Sequence, residues 1–224
     1  MSLTIAFENS HFVIIDKPVA MLSVPSRLGK EDPRPVAGIL LQDSLKRQIY
    51  PVHRLDEDVS GLLMFALTAE AAKAGNAWFE KHEAIKTYEA ISIHINPQDL
   101  PRWQSDQTWE SRLMRGKKRA YEASFGKPSK TTACVIGSTA EGRSVWRLQP
   151  LTGRSHQLRY EMARHGFPID GDELYGSTAK GLSSPGIDLR AIRLQFELCA
   201  NREKFGLPPI IELEGFSSNV LVGD

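Results

Sequence analysis

HRLDEDVSG (53–61) runs directly into the apolar stretch LLMFAL (62–67), and this junction is the most informative part of the chain. An apolar run of this length is typical of a buried strand. Asp56 therefore stands where access to solvent falls, and a carboxylate there needs a partner or it tends to protonate. Arginine is the natural partner because its guanidinium forms two hydrogen bonds with a carboxylate. The candidates are Arg54, Arg154 and Arg159.

Two interpretations of Asp56 follow from its position. In the first, the carboxylate and an arginine form a buried ion pair that holds a sheet together. In the second, the carboxylate is a catalytic group that its partner keeps ionised. The spacing of residues favours neither of them.

The composition is that of an ordinary globular protein. The chain has 224 residues, of which 41% are hydrophobic and 25% charged, and we expect one domain over residues 1–224. No apolar run approaches the ~20 residues that span a bilayer, and MSLTIAFENS does not resemble a signal peptide. Cys134 and Cys199 belong to no CxxC pair, so neither a disulfide framework nor a thiolate metal site is indicated. We expect a cytoplasmic protein.

Positive charge is concentrated in one short segment, although the net charge is only +1. A strong nucleic-acid binder usually shows a basic excess. The segment RLMRGKKR (112–119) contains Arg112, Arg115, Lys117, Lys118 and Arg119. It is either a solvated loop or a local site for phosphate groups, and the sequence leaves both open.

Strand-like runs outnumber helical ones. Eight runs read as strands: TIAFE, FVIIDKP, LLMFALT, IKTYEAISIH, TTACVIGS, SVWRLQP, AIRLQF and IIEL. Helices are predicted at about 36–47, at 69–82 with Thr68 as cap, and in SHQLRYEMARHG (155–166) with Ser155 as cap and Gly166 as stop. The helices are few, and strands and helices do not alternate regularly along the chain. This pattern predicts an α+β fold with a mixed, mostly antiparallel sheet.

Four polar stretches lie beside these strands: DKPVAML (16–22), HRLDEDVSG (53–61), KTY (86–88) and LTGRSHQLR (151–159). Each alone has an ordinary structural explanation, as a strand end, a turn or a helix cap. In this order they resemble the motifs of the RluA-type family of RNA pseudouridine synthases. HRLD before Ser-Gly resembles the signature around the family's catalytic aspartate. KTYEA resembles the family's second motif. LTGRSHQLR, continuing into GFPIDGDELYG, resembles the third. The similarity extends from about residue 11 to about residue 198.

The resemblance implies a single domain with a curved, mixed sheet, flanking helices and an active-site cleft across its middle. It implies isomerisation of uridine to pseudouridine in RNA, without cofactor or metal. The six histidines and two cysteines show no ligand spacing, which agrees. Many members carry an RNA-binding domain ahead of the catalytic one, and the early first strand leads us to expect none here.

The resemblance also assigns roles in catalysis. Asp56 is the catalytic aspartate, which either attacks C1′ of the ribose or removes a proton from C2′. Arg159 is expected to form a salt bridge with Asp56, because an opposite charge favours the ionised carboxylate. Tyr88 is expected to stack on the target base, and its hydroxyl to assist loss of the C5 proton.

RNA contacts are implied as well. The target base must be flipped out of its stack, and Arg54 is expected to enter the gap while His53 supports its segment or touches the RNA backbone. The turn at 152–154 leads into a helix N-terminus that suits a phosphate, which makes Arg154 and His156 candidates. Arg115, Lys117, Lys118 and Arg119 would hold neighbouring phosphates. We expect a monomer that acts on a stem-loop of tRNA or rRNA.

Three positions depart from the family pattern. Ala20 stands where glycine is usual, Val59 where threonine is common, and Arg190 where histidine is common. Two other functions are also considered: an RNA-binding protein of the same fold without catalysis, and a glycoside hydrolase using Asp56 and Asp58. Hydrolases need their carboxylates on opposite sides of a bound sugar, and nothing else in the sequence supports that function.

Overall fold

A computed structural model describes residues 3–93, 95–96 and 98–219. The strands are β1 Thr4–Glu8, β2 Phe12–Lys17, β3 Tyr50–Pro51, β4 Ser60–Ala66, β5 Ile85–Ser92, β6 Gln107–Arg115, β7 Ala120–Glu122, β8 Lys127–Ser138, β9 Ser144–Pro150, β10 Leu189–Gln195 and β11 Ile210–Glu212. The α-helices are α1 Ala37–Leu45, α2 Ala69–Glu80, α3 Leu100–Gln104 and α4 Gln157–Arg164. Short 3₁₀ turns cover Gly29–Glu31, Glu173–Tyr175, Arg202–Phe205 and Phe216–Asn219.

The chain divides into two compact units. The first unit comprises Met1–Lys86 and Ala191–Leu213, and the second comprises Thr87–Arg190 and Glu214–Asp224. The prediction of a single domain stays a prediction.

In the first unit the strand order is β1-β2-β4-β10, with β11 beside β10 and β3 beside β4. Strand β2 pairs antiparallel with β4, so that Ile14 faces Met64 across the ladder. Every residue of β4 is buried, as the apolar run predicts. Strands β2 and β4 and helix α2 bury Phe12, Met64 and Trp78 in one hydrophobic cluster. This cluster fixes β4, and with it the loop that carries Asp56.

In the second unit the strand order is β5-β9-β8-β6-β7, and all four adjacent pairs are antiparallel. Its core is aromatic. The ring centroid of Trp146 lies 5.6 Å from that of Trp103, 5.7 Å from that of Trp109 and 4.9 Å from that of Phe167. Helix α4 buries Leu158 and Met162, so its inward face is the one predicted from their spacing.

The predicted fold class is confirmed: the chain is α+β, with mixed and mostly antiparallel strand pairing. All eight predicted strands are present. The first two predicted helices are α1 and α2, and the Thr68 hydroxyl caps α2 by accepting a hydrogen bond from Ala71 N at 3.2 Å. Strands β3, β6 and β7 and helix α3 are not among the sequence predictions.

The prediction of Ser155 as a helix cap is wrong. Helix α4 begins at Gln157, and His156 occupies the cap position in the left-handed region, with φ of 53°. The Gln157 carboxamide instead fixes the turn before the helix: its Oε1 accepts from Arg154 N at 3.0 Å and from the Thr152 hydroxyl at 2.8 Å.

Ala20 also adopts the left-handed conformation, with φ of 55°. Glycine is the residue that adopts this conformation without steric cost. The backbone at this position therefore retains a glycine-type geometry although the side chain differs from the family pattern.

Within the described part of the chain, every helix is too short or too polar to cross a bilayer.

Gly61 lets β4 and β10 approach closely. Its φ is +107°, and a Cβ there would lie 2.2 Å from the carbonyl oxygen of Ala191. We predict that Gly61→Ala lowers the free energy of unfolding by about 3 kcal/mol or more, because both strands must move apart. Gly166→Ala is the matched control, since its φ is +88° but its Cβ would meet nothing within 4 Å; we expect a loss of about 1–2 kcal/mol. Urea unfolding measures both, and equal losses would contradict the close-approach explanation.

Candidate active site

Asp56 is half-buried in the loop between β3 and β4 of the first unit. The residue before it is fixed to Ser23: Leu55 N donates to Ser23 Oγ at 2.9 Å, and that hydroxyl donates to Leu55 O at 2.7 Å. The residue after it is fixed to β2 and its following loop: Glu57 O accepts from Lys17 Nζ at 3.2 Å and from Met21 N at 3.4 Å. The backbone is thus held on both sides of the carboxylate.

Lys17 is the buried cation of this segment. Its ammonium donates to the carbonyl oxygens of Pro18 and Met21, each at 2.8 Å, in addition to Glu57 O. Burial lowers the pKa of Lys17 to about 8, while the negative charges of Asp56, Asp58 and Glu57 oppose this fall. Below that pH, Lys17 supplies positive charge beside the Asp56 segment.

His53 anchors the start of the motif. Its Nε2 accepts a hydrogen bond from Met64 N at 3.1 Å, and its ring lies 4.7 Å from the ring of Phe79. Burial, together with the nearby charge of Lys86, lowers the pKa of His53 to about 3, so the imidazole is neutral at physiological pH. These contacts give His53 a supporting position, and its contact with RNA stays a prediction. Arg54, one residue later, is exposed.

Arg159 is buried on helix α4 of the second unit. Its Nε and Nη2 donate to the two carboxylate oxygens of Asp172, each at 2.7 Å. This two-point geometry fixes the plane of the guanidinium. The expected salt bridge between Arg159 and Asp56 stays a prediction.

Tyr175 packs its ring against the guanidinium of Arg159. The guanidinium carbon lies 5.4 Å from the centroid of the Tyr175 ring. The Tyr175 hydroxyl accepts from Ala120 N at 2.7 Å and lies 3.1 Å from Nδ1 of His156. Because Ala120 follows Arg119 directly, Tyr175 connects the basic segment 112–119 to helix α4.

The other predicted residues also lie in the second unit. Tyr88 is buried on β5, opposite Leu148 of β9. Arg154 is half-buried, and its Nε donates to Pro128 O at 2.8 Å. The basic segment spans the end of β6 and the turn into β7, and its cations Arg112, Arg115, Lys117, Lys118 and Arg119 are all exposed.

The structure thus groups the predicted residues by unit. His53, Arg54 and Asp56 belong to the first unit, and the remaining candidates belong to the second. Within the second unit, Arg159 and His156 meet around Tyr175.

Sequence reasoning missed the supporting roles of Lys17, Asp172 and Tyr175. Lys17 lies in the DKP motif, where it reads as the end of a strand. Asp172 and Tyr175 lie in GDELYG (171–176), which reads only as the continuation of the third motif. Their position inside two of the four motifs is the signal that could have found them.

In the described ranges, no group of three or more His, Cys, Asp or Glu side chains is arranged to hold a metal ion. The expectation that the reaction needs neither metal nor cofactor stays a prediction.

Comparisons with known proteins agree with the motif pattern. The profile described as RNA pseudouridylate synthase matches residues 11–164. The chain is 34% identical over 201 residues to the dual-specificity RNA pseudouridine synthase RluA of Salmonella typhi, covering 84% of each chain. It is 33% identical over 221 residues to the protein of the same name from Yersinia pestis, covering 92% of this chain and 96% of the relative. The solved structure of human RNA pseudouridylate synthase domain containing 1 has a TM-score of 0.69 at 21% identity, covering 97% and 92% of the two chains.

Fold, motifs and matches together define an isomerase that acts on RNA. The chain belongs to the RNA pseudouridylate synthase family and is of the RluA type. The family resemblance seen in the motifs is confirmed.

Asp172 provides the counter-charge for a buried guanidinium. We predict that Asp172→Asn lowers the free energy of unfolding by about 3–5 kcal/mol, because it leaves the charge of Arg159 buried without its carboxylate partner. The matched control is Glu212→Gln, which breaks the more exposed Arg193–Glu212 pair of the first unit; we expect a loss of less than about 1 kcal/mol. Urea unfolding of both variants checks this, and similar small losses would show that Asp172 contributes little.

Proposed function

We propose that this chain isomerises uridine to pseudouridine in tRNA or rRNA, with Asp56 as its essential carboxylate. The observation that carries the proposal is the way Asp56 is held. Leu55 and Glu57 are fixed by hydrogen bonds to Ser23, Met21 and Lys17, while Asp56 itself stays partly open to solvent. A carboxylate on a fixed backbone beside a buried cation is suited to act on a substrate without reorganising first.

The proposed reaction detaches uracil from the ribose at N1, turns it over and rejoins it through C5. Asp56 either attacks C1′, which forms a covalent ester, or removes a proton from C2′, which gives a glycal. Bonding of C5 to C1′ then breaks the ester or, in the glycal route, is accompanied by return of a proton to C2′. In both routes the C5 proton is then lost to solvent and N1 takes up a proton. The target base leaves its stack before the reaction, and the exposed Arg54 enters the gap.

Arg159 and Tyr88 complete the proposed catalytic set. Arg159 pairs with Asp56 in the proposed site, and the Asp172 carboxylate holds two of its donor groups in a fixed direction. Tyr88 stacks on the target uracil and assists loss of the C5 proton. Its position on a strand within a sheet gives the ring a fixed direction.

The proposed RNA contacts are His53, Arg54, Arg154, His156 and four cations of the basic segment, Arg115, Lys117, Lys118 and Arg119. Their exposure supports a role for the four cations. Because Gln157 Oε1 already accepts the Arg154 amide, we assign phosphate binding at this turn to the Arg154 side chain rather than to its backbone. We further propose a cytoplasmic monomer, with Cys134 and Cys199 as buried free thiols.

We predict that Asp56→Asn lowers the rate of pseudouridine formation by more than about 10⁴-fold, because the amide can neither attack C1′ nor take a proton. RNA affinity should stay close to that of the wild type, since the amide keeps the shape of the carboxylate. The measurement is tritium release from [5-³H]uridine in tRNA and rRNA of cells that lack the enzyme, followed by mapping of pseudouridine.

Asp58→Asn is the control for Asp56→Asn. It removes a carboxylate two residues away and should still form product. Product formation by Asp56→Asn would show that the essential carboxylate is wrongly assigned. Absence of product from the wild type on both RNA classes would favour an RNA-binding protein without catalysis.

We predict that replacing Lys117, Lys118 and Arg119 together by Gln weakens RNA binding and flattens its dependence on salt. If each cation contacts one phosphate, the slope of log Kd against log salt should fall by about 2 for single-stranded RNA. Fluorescence anisotropy between low and moderate salt measures the slope. The matched control replaces Lys73, Lys81 and Lys204 of the first unit, which are exposed in other segments. An unchanged slope in the Lys117/Lys118/Arg119 variant would return these residues to the solvated-loop interpretation.

A further inference from the structure

Phe125 is an aromatic side chain presented to solvent. It lies in the loop 123–126 that connects β7 to β8, and 72% of it is exposed. A single exposed apolar residue is common on protein surfaces and needs no explanation by itself. What surrounds Phe125 gives it significance.

The loop that carries Phe125 is a tight turn packed on the basic segment. Gly126 N donates to Ala123 O at 2.8 Å, and Ala123 N donates to Arg112 O at 3.0 Å. A Cβ at Gly126 would lie 2.5 Å from the same Arg112 oxygen, so the turn rests directly on that backbone. Phe125 is therefore held at a defined place beside Arg112.

Two cations lie near Phe125 in the chain and in the sheet. The backbone of Arg112 lies under the turn. Lys127 follows Phe125 by two residues, and β6 and β8 pair Leu113 with Lys127. Both cations are exposed. The nearby Glu122 lies 3.5 Å from Arg164 and 3.4 Å from the Tyr160 hydroxyl, so its charge is directed towards helix α4.

A second ring lies on β7, four residues before Phe125. Tyr121 is 44% exposed and pairs with Met114 across β6 and β7. A Cβ at Gly116 would lie 3.5 Å from two carbons of this ring, so the ring covers the turn that bears Lys117 and Lys118. The β6–β8 region therefore presents aromatic rings among exposed cations.

We propose that the basic segment 112–119 and the loop 123–126 form one binding surface for unpaired RNA, on which Phe125 stacks against a base other than the target uridine. The inference rests on the proposed function, because it takes RNA as the substrate. Cations along the backbone path and rings for the bases are the two elements of single-strand recognition. A paired helix buries the faces of its bases in its own stack, so an exposed ring gains nothing from it.

The test compares ring and non-ring variants at one position. Phe125→Leu keeps an apolar side chain without an aromatic face, and Phe125→Trp enlarges the face. We expect Phe125→Leu to weaken binding of an unpaired oligoribonucleotide about tenfold and Phe125→Trp to keep or improve it. The salt slope should be unchanged in both variants, since the ring carries no charge. Leu182→Ala is the matched control, because Leu182 is 71% exposed in the same unit, and it should bind as the wild type does.

The same oligoribonucleotide annealed to its complement completes the test. On this duplex, Phe125→Leu should bind as tightly as the wild type. Equal affinities of Phe125→Leu and wild type for unpaired RNA would overturn the proposal, and so would equal losses on unpaired and paired RNA. Matching thermal unfolding curves establish that the variant is folded. If the wild type forms pseudouridine but Phe125→Leu binds normally, only this inference fails; if the wild type forms none, the proposed function fails whatever Phe125 does.

Discussion

The ammonium group of Lys17 is the constraint on which the Asp56 segment depends. It is fully buried and donates to three carbonyl oxygens, from Pro18, Met21 and Glu57. Burying a charge is costly unless its hydrogen bonds are satisfied, and here each donor of the ammonium has an acceptor. The cation thereby joins the end of β2 to the residue after Asp56. The charges of the three consecutive acidic residues Asp56, Glu57 and Asp58 oppose the fall in the pKa of Lys17 and so help to keep it protonated.

The second unit also contains a buried cation whose hydrogen bonds are satisfied, and there it is an arginine. Arg159 is as deeply buried as a core residue, and Asp172 satisfies it at two points while the Tyr175 ring covers it. Compared with an apolar pair of similar volume, such a pair contributes little net stability, because desolvation offsets much of the attraction, although removing one partner alone is costly. The pair instead fixes orientation: because Asp172 holds two donor groups of the guanidinium, its remaining N–H groups can point in only one direction. Both units thus hold a buried cation by groups that leave it no freedom to reorient.

The sequence predicts what local pattern determines and misses what tertiary pairing determines. Alternation in IKTYEAISIH is visible without a structure, and β5 follows it. In β6 the same alternation is present, and Trp109, Ser111 and Leu113 face inward. The charged residues on its outward face make this alternation difficult to recognise from the sequence. Arginines could be proposed as partners of Asp56 by type alone, whereas the pairing of Arg159 with Asp172 requires the turn at 171–176 to fold back on α4. Lys17 is not predictable in this way, because nothing in the local sequence shows that a lysine at the end of a strand is buried.

Net charge is a poor guide to RNA binding in this chain, and burial explains why. Among the described residues, the buried charged side chains include five acids, Glu89, Glu161, Asp170, Asp172 and Asp188, but only two bases, Lys17 and Arg159. The rest of the chain therefore carries a more positive formal charge than +1. Salt screens exposed charges beyond about 10 Å, so what RNA senses is the local arrangement and not the sum. The basic segment 112–119 places several exposed positive charges on the β6–β7 hairpin. Tyr175 connects this hairpin to helix α4, because its hydroxyl accepts from Ala120 N and its ring lies against Arg159. A phosphate bound there would rest on the same framework that orients the buried arginine.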